Sequence, residues 1–339
     1  MEIHTNIPLK NYVTMRIGGN ARFMTEVHSV AEISEIVRRA EEQKLRIYVL
    51  GSGSNTLVHD EGFDGIVLHN RILGFDVLAE TGSEITLKIG AGEIWDDVVR
   101  RTVEKELTGI ECLSAIPGTA GAAPVQNIGA YGQEVSETLV SVEAYDRDTD
   151  TIVTLTNEQC GFAYRHSIFR GEAAGRYIII SITLRLFKDT PQPPYYKAVQ
   201  EYLDAHNIAI VTPEVLRDAV IAIRAEKLPD PNVRPNNGSF FKNAIIEGWQ
   251  LRDIQLNYPD VPFYNMPGDM YKIPTGWLIE TAGFKGKLLH GIRVHEKNAL
   301  VLINESAKGY EDLAAARDEI IGTIRDMFRI IIEQEPLEM

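Results

Sequence analysis

Val30, Ile33, Ile36, Val37 and Ala40 recur at helical spacing through residues 30–44, and the short apolar run Arg46–Leu50 follows, so a helix feeds a buried strand. The pattern then changes. Glu84–Ile89 alternates as a half-buried strand does, and Ile94, Trp95, Val98, Val99 and Val103 restore the helical period. Further along, a helix from about residue 213 leads into Ile223–Pro231, Asn298–Ile303 reads as a strand, and residues 311–328 form an amphipathic helix. Its core positions are Leu313, Ile320, Ile321, Ile324 and Met327.

Glycine turns separate the early elements. Gly51-Ser52-Gly53-Ser54-Asn55-Thr56 permits close backbone approach and supplies hydroxyl and amide donors for an anion. It lacks the third glycine of a dinucleotide fingerprint, and residue 71, about where a ribose-binding acid is sought, is Arg. On its own it reads as a turn before it reads as a phosphate cradle. Gly90-Ala91-Gly92 precedes the second helix. The third loop, Ile116–Gly132, holds four glycines and four alanines in 17 residues, and Gln126 and Asn127 add amides that both donate and accept. A buried packing loop is the plain alternative, but three such turns in one region favour a ligand that touches backbone.

With 339 residues and about 150 per domain, two or three domains and a ligand cleft are expected. The formal charge of -14 disfavours nucleic acid and anionic membranes as partners, so an anionic ligand needs local cations. Cys112 and Cys160 show no CxxC spacing, which excludes a disulfide framework or a cysteine-rich zinc site and suits burial in a reducing compartment. The start of the chain lacks the pattern of a signal peptide, and the most apolar stretch, Tyr177–Leu186, is interrupted by Ser181, Thr183 and Arg185. A cytoplasmic protein without membrane insertion, and a monomer, is expected.

Gly238-Ser239-Phe240-Phe241-Lys242-Asn243 sets one hydroxyl among two aromatics, a cation and an amide, after a turn-forming stretch rich in Pro and Asn. An N-cap or turn serine beside two core phenylalanines is the alternative. No GxSxG elbow is present, so hydrolase chemistry is disfavoured.

Leu50–Leu57, Gly90–Glu93 and Ile116–Gly132 resemble, in order and spacing, the flavin-binding loops of the UDP-N-acetylenolpyruvoylglucosamine reductase family. The resemblance runs from Asn11–Thr14 and Ile17–Gly19 to the last few residues. It implies an α+β chain with a two-subdomain FAD-binding fold of the vanillyl-alcohol-oxidase (PCMH) type, about 17–189, and an α+β substrate-binding domain. The expected division is 1–70 as flavin subdomain one, 71–228 with 328–339 as subdomain two, and 229–327 for substrate. FAD contacts would come from Gly51, Ser52, Gly53, Ser54, Asn55, Thr56, Gly118, Gly121, Ala122, Ala123, Gln126, Asn127, Gly129, Tyr164 and Arg224.

The same resemblance carries the chemistry. Tyr164-Arg165-His166-Ser167-Ile168-Phe169 matches a Tyr-Arg-x-Ser-x-Phe motif, which gives Arg165 a place beside the flavin and the enolpyruvyl group and leaves His166 structural. Gly238–Asn243 makes Ser239 the proton donor and Asn243 a ligand contact. Phe328–Glu335 aligns with a strand that brings Glu335 to the catalytic position. Arg224 and Lys227 match an Arg-x-x-Lys-Leu-Pro-Asp-Pro segment, with Lys227 at the substrate, and Tyr196, or its neighbour Tyr195, closes over the sugar nucleotide. The implied reaction is the FAD-dependent reduction of UDP-N-acetylglucosamine enolpyruvate by NADPH, with no metal. Three positions depart from the pattern: Gln334 stands where proline is common, no arginine follows two positions after Glu335, and His290-Gly291 replaces Gly-Gly, with His290 read as a turn residue. Another FAD oxidoreductase of this fold and a flavin-free sugar-nucleotide binding protein are the rivals.

Overall fold

Ser29 Oγ accepts the Glu32 N–H at 3.3 Å while the Glu32 carboxylate accepts the His28 N–H at 2.7 Å, and these contacts fix the start of α1 (Val30–Glu42). Ile33, Ile36, Val37 and Ala40 fall on one face of α1 and are buried with Val27, Ile66 and Leu68 of a four-stranded sheet. Each large aliphatic so buried contributes about 1.5–3 kcal/mol. The strand order is His4–Pro8, Asn20–Val27, Phe63–Asn70, Arg46–Leu50, the last two parallel.

An antiparallel five-stranded sheet follows, in the order Thr151–Thr156, Leu139–Asp146, Tyr177–Phe187, Glu84–Gly90, Phe75–Glu80. Trp95, Val98 and Val99 of α2 (Trp95–Val103) pack into its core. The strand Tyr177–Phe187 is apolar on both faces because both are covered: Ile178 and Ile180 join the α1 core, and Ile179, Ile182, Leu184 and Leu186 join the α2 core. The change of parity comes from a bulge, since Ala144 pairs with Ile179 and Glu143 with Ser181, leaving Ile180 as the extra residue. This double burial explains the most apolar run of the sequence, and no helix is long and apolar enough to cross a membrane.

The structure is a computed structural model that describes residues 1–339. It divides into two units: Met1–Ile7, Ala21–Gly53 and Asp64–Glu226 form the first, Pro8–Asn20, Ser54–Phe63 and Lys227–Met339 the second. The first also contains α3 (Lys197–Ala205) and nearly all of α4 (Pro213–Lys227). The second holds an antiparallel sheet ordered Asn236–Ser239, Val301–Asn304, Ile292–Val294, Leu288–Leu289, and a three-stranded sheet of Ala244–Glu247, Met270–Ile273 and Tyr264–Met266. With these go α5 (Gly248–Asn257), α6 (Thr275–Thr281) and α7 (Tyr310–Phe328). Phe240 and Phe241 are fully buried in its core beside Leu278, Leu302 and Ile320.

Several elements differ from the sequence expectation. Residues 328–339 group with 227–327 rather than with 71–226, and 8–20 and 54–63 join them, so the boundaries follow pairing across the chain instead of composition. Residues 328–335 do not form a strand. Arg329 ends α7 in the left-handed region (φ 57), and pairing starts only at Glu333, with a single bridge between Phe241 and Gln334. The strand expected at 298 begins at Val301, because the Asn298 side chain accepts the Leu300 N–H at 3.1 Å and holds a turn. Ile94 and Met327, expected in core stripes, are both 42% exposed: Ile94 precedes the first turn of α2, and the α7 stripe runs through 313, 316, 320, 324 and 328. His290 does fill a turn. With Gly291 it closes a two-residue hairpin in which both residues have positive φ (49 and 83).

Candidate active site

Gly51 and the second and third glycine turns come together in the first unit. Gly121 donates to the Ala91 carbonyl at 2.9 Å, and a Cβ on it would lie 2.6 Å from the Ala91 Cβ. Ala120 N–H reaches the Glu93 carbonyl at 2.8 Å, and Trp95 N–H the Gly118 carbonyl at 3.1 Å. A Cβ on Gly51 would stand 2.8 Å from Thr119 Oγ1. Part of the glycine content is thus consumed by one loop packing on another, which is the packing alternative realised at Gly51 and Gly121. The Asn127 side chain is bonded within the protein. It is 1% exposed, its amide donates to Glu134 at 2.8 Å and to the Ala163 carbonyl at 3.2 Å, and its oxygen accepts the Ser136 N–H at 3.1 Å. Its side chain is committed to the scaffold, and Ala123 is likewise buried. Gln126 accepts from Arg170 at 3.2 Å.

Arg165 sits at the apex of a tight turn. Ala163 and His166 exchange two backbone hydrogen bonds of 3.1 Å, leaving Tyr164 and Arg165 as the two turn residues, with Arg165 in the left-handed region at φ 52. That conformation costs a non-glycine residue about 1–2 kcal/mol. It is offset here by the guanidinium donating to the Gly129 carbonyl at 2.7 Å, a bond that ties the cation to the third glycine loop.

Tyr131, from the same loop, meets Tyr196 edge to face with ring centres 5.7 Å apart. Its hydroxyl is hydrogen-bonded by Arg224 of α4. Burial raises the Tyr131 pKa, and burial lowers that of Arg224 against the opposing pull of Tyr131 and Asp96. A cavity of about 320 Å³ lies beside these rings, lined in part by Glu111, Cys112, Gln133, Tyr195 and Tyr196. Tyr195 is half-buried with its hydroxyl on the Pro191 carbonyl at 3.0 Å, whereas Tyr196 is exposed. Lys227 is exposed at the last position of α4.

In the second unit, Gly238 takes φ 69 at the end of the strand that Ser239 completes, opposite Val301. Phe240 then turns inward, and its carbonyl accepts the Glu335 N–H at 2.8 Å; Lys242 N–H donates to the Glu333 carbonyl at 2.9 Å. The Ser239 segment and the Glu335 segment are therefore neighbouring antiparallel chains. Lys242, unassigned from sequence, pairs with Glu333 at 2.9 Å across this junction. Asn243 Oδ1 accepts the Thr275 N–H at 3.1 Å at the start of α6. Beyond Glu335 the chain pairs in parallel with Thr56–Leu57, and Leu337 N–H donates to the Asn55 carbonyl at 2.9 Å. This brings the end of the first glycine loop to the Glu335 segment.

Two of the four buried side-chain polar atoms without a hydrogen-bond partner lie beside glycine turns. Asn237 Oδ1 is one, while the same amide donates to the Ser54 carbonyl at 2.9 Å; Ser181 Oγ is the other, on the residue paired with Gly90. Each suits a polar ligand group at its own glycine turn. Sequence reasoning quoted Asn237 only as a turn former, since a buried acceptor has no signature in one dimension. It also missed Arg217, whose two-pronged grip on Asp96 (2.6 and 2.8 Å) fixes α4 in the first unit.

A family profile described as an FAD binding domain matches residues 21–156, and one for the C-terminal domain of UDP-N-acetylenolpyruvoylglucosamine reductase matches residues 230–338. The UDP-N-acetylenolpyruvoylglucosamine reductase of Flavobacterium johnsoniae is 38% identical over 336 residues, 99% of each chain. That of Ralstonia nicotianae is 39% identical over 333 residues, 97% of each. Among solved structures, UDP-N-acetylenolpyruvylglucosamine reductase from Thermus caldophilus superposes with a TM-score of 0.68 at 22% identity, covering 99% of this chain and 98% of that one. 6-Hydroxy-D-nicotine oxidase from Arthrobacter nicotinovorans gives 0.54 at 15%, covering 96% and 85%. The fold is thus the expected α+β one, with an FAD-binding domain.

Proposed function

The chain belongs to the UDP-N-acetylenolpyruvoylglucosamine reductase family, and on that footing we propose that it reduces UDP-N-acetylglucosamine enolpyruvate to UDP-N-acetylmuramate, a peptidoglycan precursor, with NADPH as electron source. FAD, when bound, would supply the hydride chemistry between nicotinamide and vinyl carbon that no side chain can perform. Residues 51–56, Gly118, Gly121, Ala122, Ala123, Gln126, Asn127, Gly129, Tyr164 and Arg224 would hold it, Ala123 and Asn127 through backbone, since their side chains are buried in the loop.

The remaining work is electrostatic and protonic. Hydride arrival leaves an enolate on the carbon that bears the carboxylate. Arg165 presents a permanent charge through a forked group already anchored at Gly129, and Arg165 and Glu335 bind or polarise this unit. Ser239 delivers the proton to the same carbon, a transfer worth about 10²- to 10⁴-fold in rate. Lys227 and Asn243 bind the sugar nucleotide, and Tyr196 covers it.

The observation that carries this reading is the hydrogen bond from Glu335 N–H to the carbonyl of Phe240, which makes the proposed proton donor and the proposed carboxylate near neighbours along paired chains. Anaerobic mixing tests it. NADPH should bleach the visible flavin band of the purified protein, and the enolpyruvyl sugar nucleotide should restore it. A protein that shows no flavin band even after FAD is added, or whose bleached band ignores the enolpyruvate, overturns the proposal.

A further inference from the structure

Gln334 stands beside Glu335 where the resemblance expects proline, and its side chain is tied at both ends. Oε1 accepts from Arg317 of α7 at 2.9 Å; Nε2 donates to the Pro336 carbonyl at 3.2 Å and to Glu338 at 3.0 Å. The amide therefore reaches over the backbone of Glu335, from the residue before it to the residues after it. A proline at 334 could make none of these bonds.

The groups that receive it are themselves fixed. Arg317 donates to Glu338 at 2.8 Å and to the Tyr310 hydroxyl at 3.2 Å, and the Tyr310 hydroxyl donates to the same Glu338 oxygen. His59 stacks on Tyr310 with ring centres 4.0 Å apart and lies 3.3 Å from the other Glu338 oxygen. Asp60 accepts the Tyr310 N–H at 2.8 Å and the Glu311 N–H at 3.2 Å, capping α7 at the turn from which Tyr310 projects. Burial alone would raise the Glu338 pKa, yet bonds from Tyr310, Gln334 and His59 and the Arg317 charge hold it below the usual value, so the carboxylate stays an acceptor. Between this network and the backbone bond to Phe240, Glu335 is held on two sides.

We infer that Gln334 is a positioning residue for Glu335, with Arg317 and Glu338 as its anchors, so that the direction of the Glu335 carboxylate is set by α7 rather than by a proline ring. The inference rests on the proposed role of Glu335. The bonds it names form a connected network, in which losing one member affects more than its own contact.

The test measures the two half-reactions by rapid mixing in Gln334→Ala, in Gln334→Glu, which keeps the size but removes the Nε2 donor, in Glu335→Gln, and in the double variant Gln334→Ala/Glu335→Gln. Flavin reduction by NADPH should stay within about twofold, while reoxidation by the enolpyruvate falls about 10- to 100-fold in each single variant, as a misdirected group implies. The double variant should be no slower than Glu335→Gln alone, because the two act through one carboxylate. Amide hydrogen exchange across residues 333–339 should quicken in Gln334→Ala. Normal reoxidation in both Gln334 variants beside a slow Glu335→Gln overturns the inference and leaves the role of Glu335 standing. Equal losses in both half-reactions, or a double variant slower than Glu335→Gln, mark Gln334 as merely structural and also overturn it. Normal reoxidation in Glu335→Gln removes the role of Glu335 and the inference with it.

Discussion

Arg217→Met removes the ion pair that locks α4 into the first unit while keeping a side chain of similar length. Arg217 is 9% exposed; its guanidinium holds both Asp96 oxygens, at 2.6 and 2.8 Å, and donates to Ser114 Oγ at 3.0 Å. The variant leaves Asp96 with the Ala115 N–H at 2.6 Å as its remaining strong bond. Breaking a fully buried pair costs about 3–5 kcal/mol. Because the Asp96 side chain is 36% exposed, water recovers part of the loss, and about 2–3 kcal/mol is expected. For a unit of about 200 residues that is a fall of roughly 5–10 °C in Tm. The pH dependence has a definite sign. Burial raises the Asp96 pKa, but the Arg217 bonds, the Ala115 N–H and the Arg217 and Arg224 charges outweigh it and bring the folded value below the ordinary 3.8. The stabilisation is therefore present above the unfolded pKa and lost as pH falls through the folded one, so the gap between wild type and variant should close below about pH 4. Asp96→Asn/Arg217→Met should recover most of the loss at pH 7, since no unpaired charge remains. Calorimetric melting at several pH values reads all three. A drop under about 2 °C at pH 7, or a gap that widens on acidification, would refute the reasoning.

Two further outcomes follow from the same structure. Gly121→Ala places a methyl 2.6 Å from the Ala91 Cβ and should cost about 1–3 kcal/mol and much of the bound flavin, read as the ratio of visible to ultraviolet absorbance after purification; full flavin content at unchanged Tm would contradict it. Burial pushes the Cys112 and Cys160 thiols up to about 12, so at pH 8 neither should react with a disulfide reagent over minutes in the folded protein, and both should react on unfolding in guanidinium; rapid native labelling would contradict this.

What the sequence disclosed was local. Val30–Ala40 and Leu313–Ile324 declare their helices because burial on one face imposes a 3.6-residue period, and the Phe240-Phe241 pair declares core. What it hid depends on partners far along the chain. Nothing in residues 333–339 announces that 333–335 pair with 240–242 and that 337–339 pass to 55–57, and the division of the chain follows those pairings. The bulge at Ile180 is equally silent, since an apolar run reads alike on either face. Motif order singled out Arg165, but its left-handed turn and its bond to Gly129 came only from the structure. The three hydrogen bonds that fix the Asn127 side chain within the protein are equally unannounced by an amide in a glycine loop. Gln334 looked like a lost proline and is instead a strut.

The central claim is that Ser239 gives a proton rather than holding up the fold, and Ser239→Ala tests it through the two half-reactions. NADPH should reduce the flavin of the variant at nearly the wild-type rate, while transfer to the enolpyruvate falls by about 10²- to 10⁴-fold. Equal loss in both halves, or undiminished reoxidation, would contradict the account.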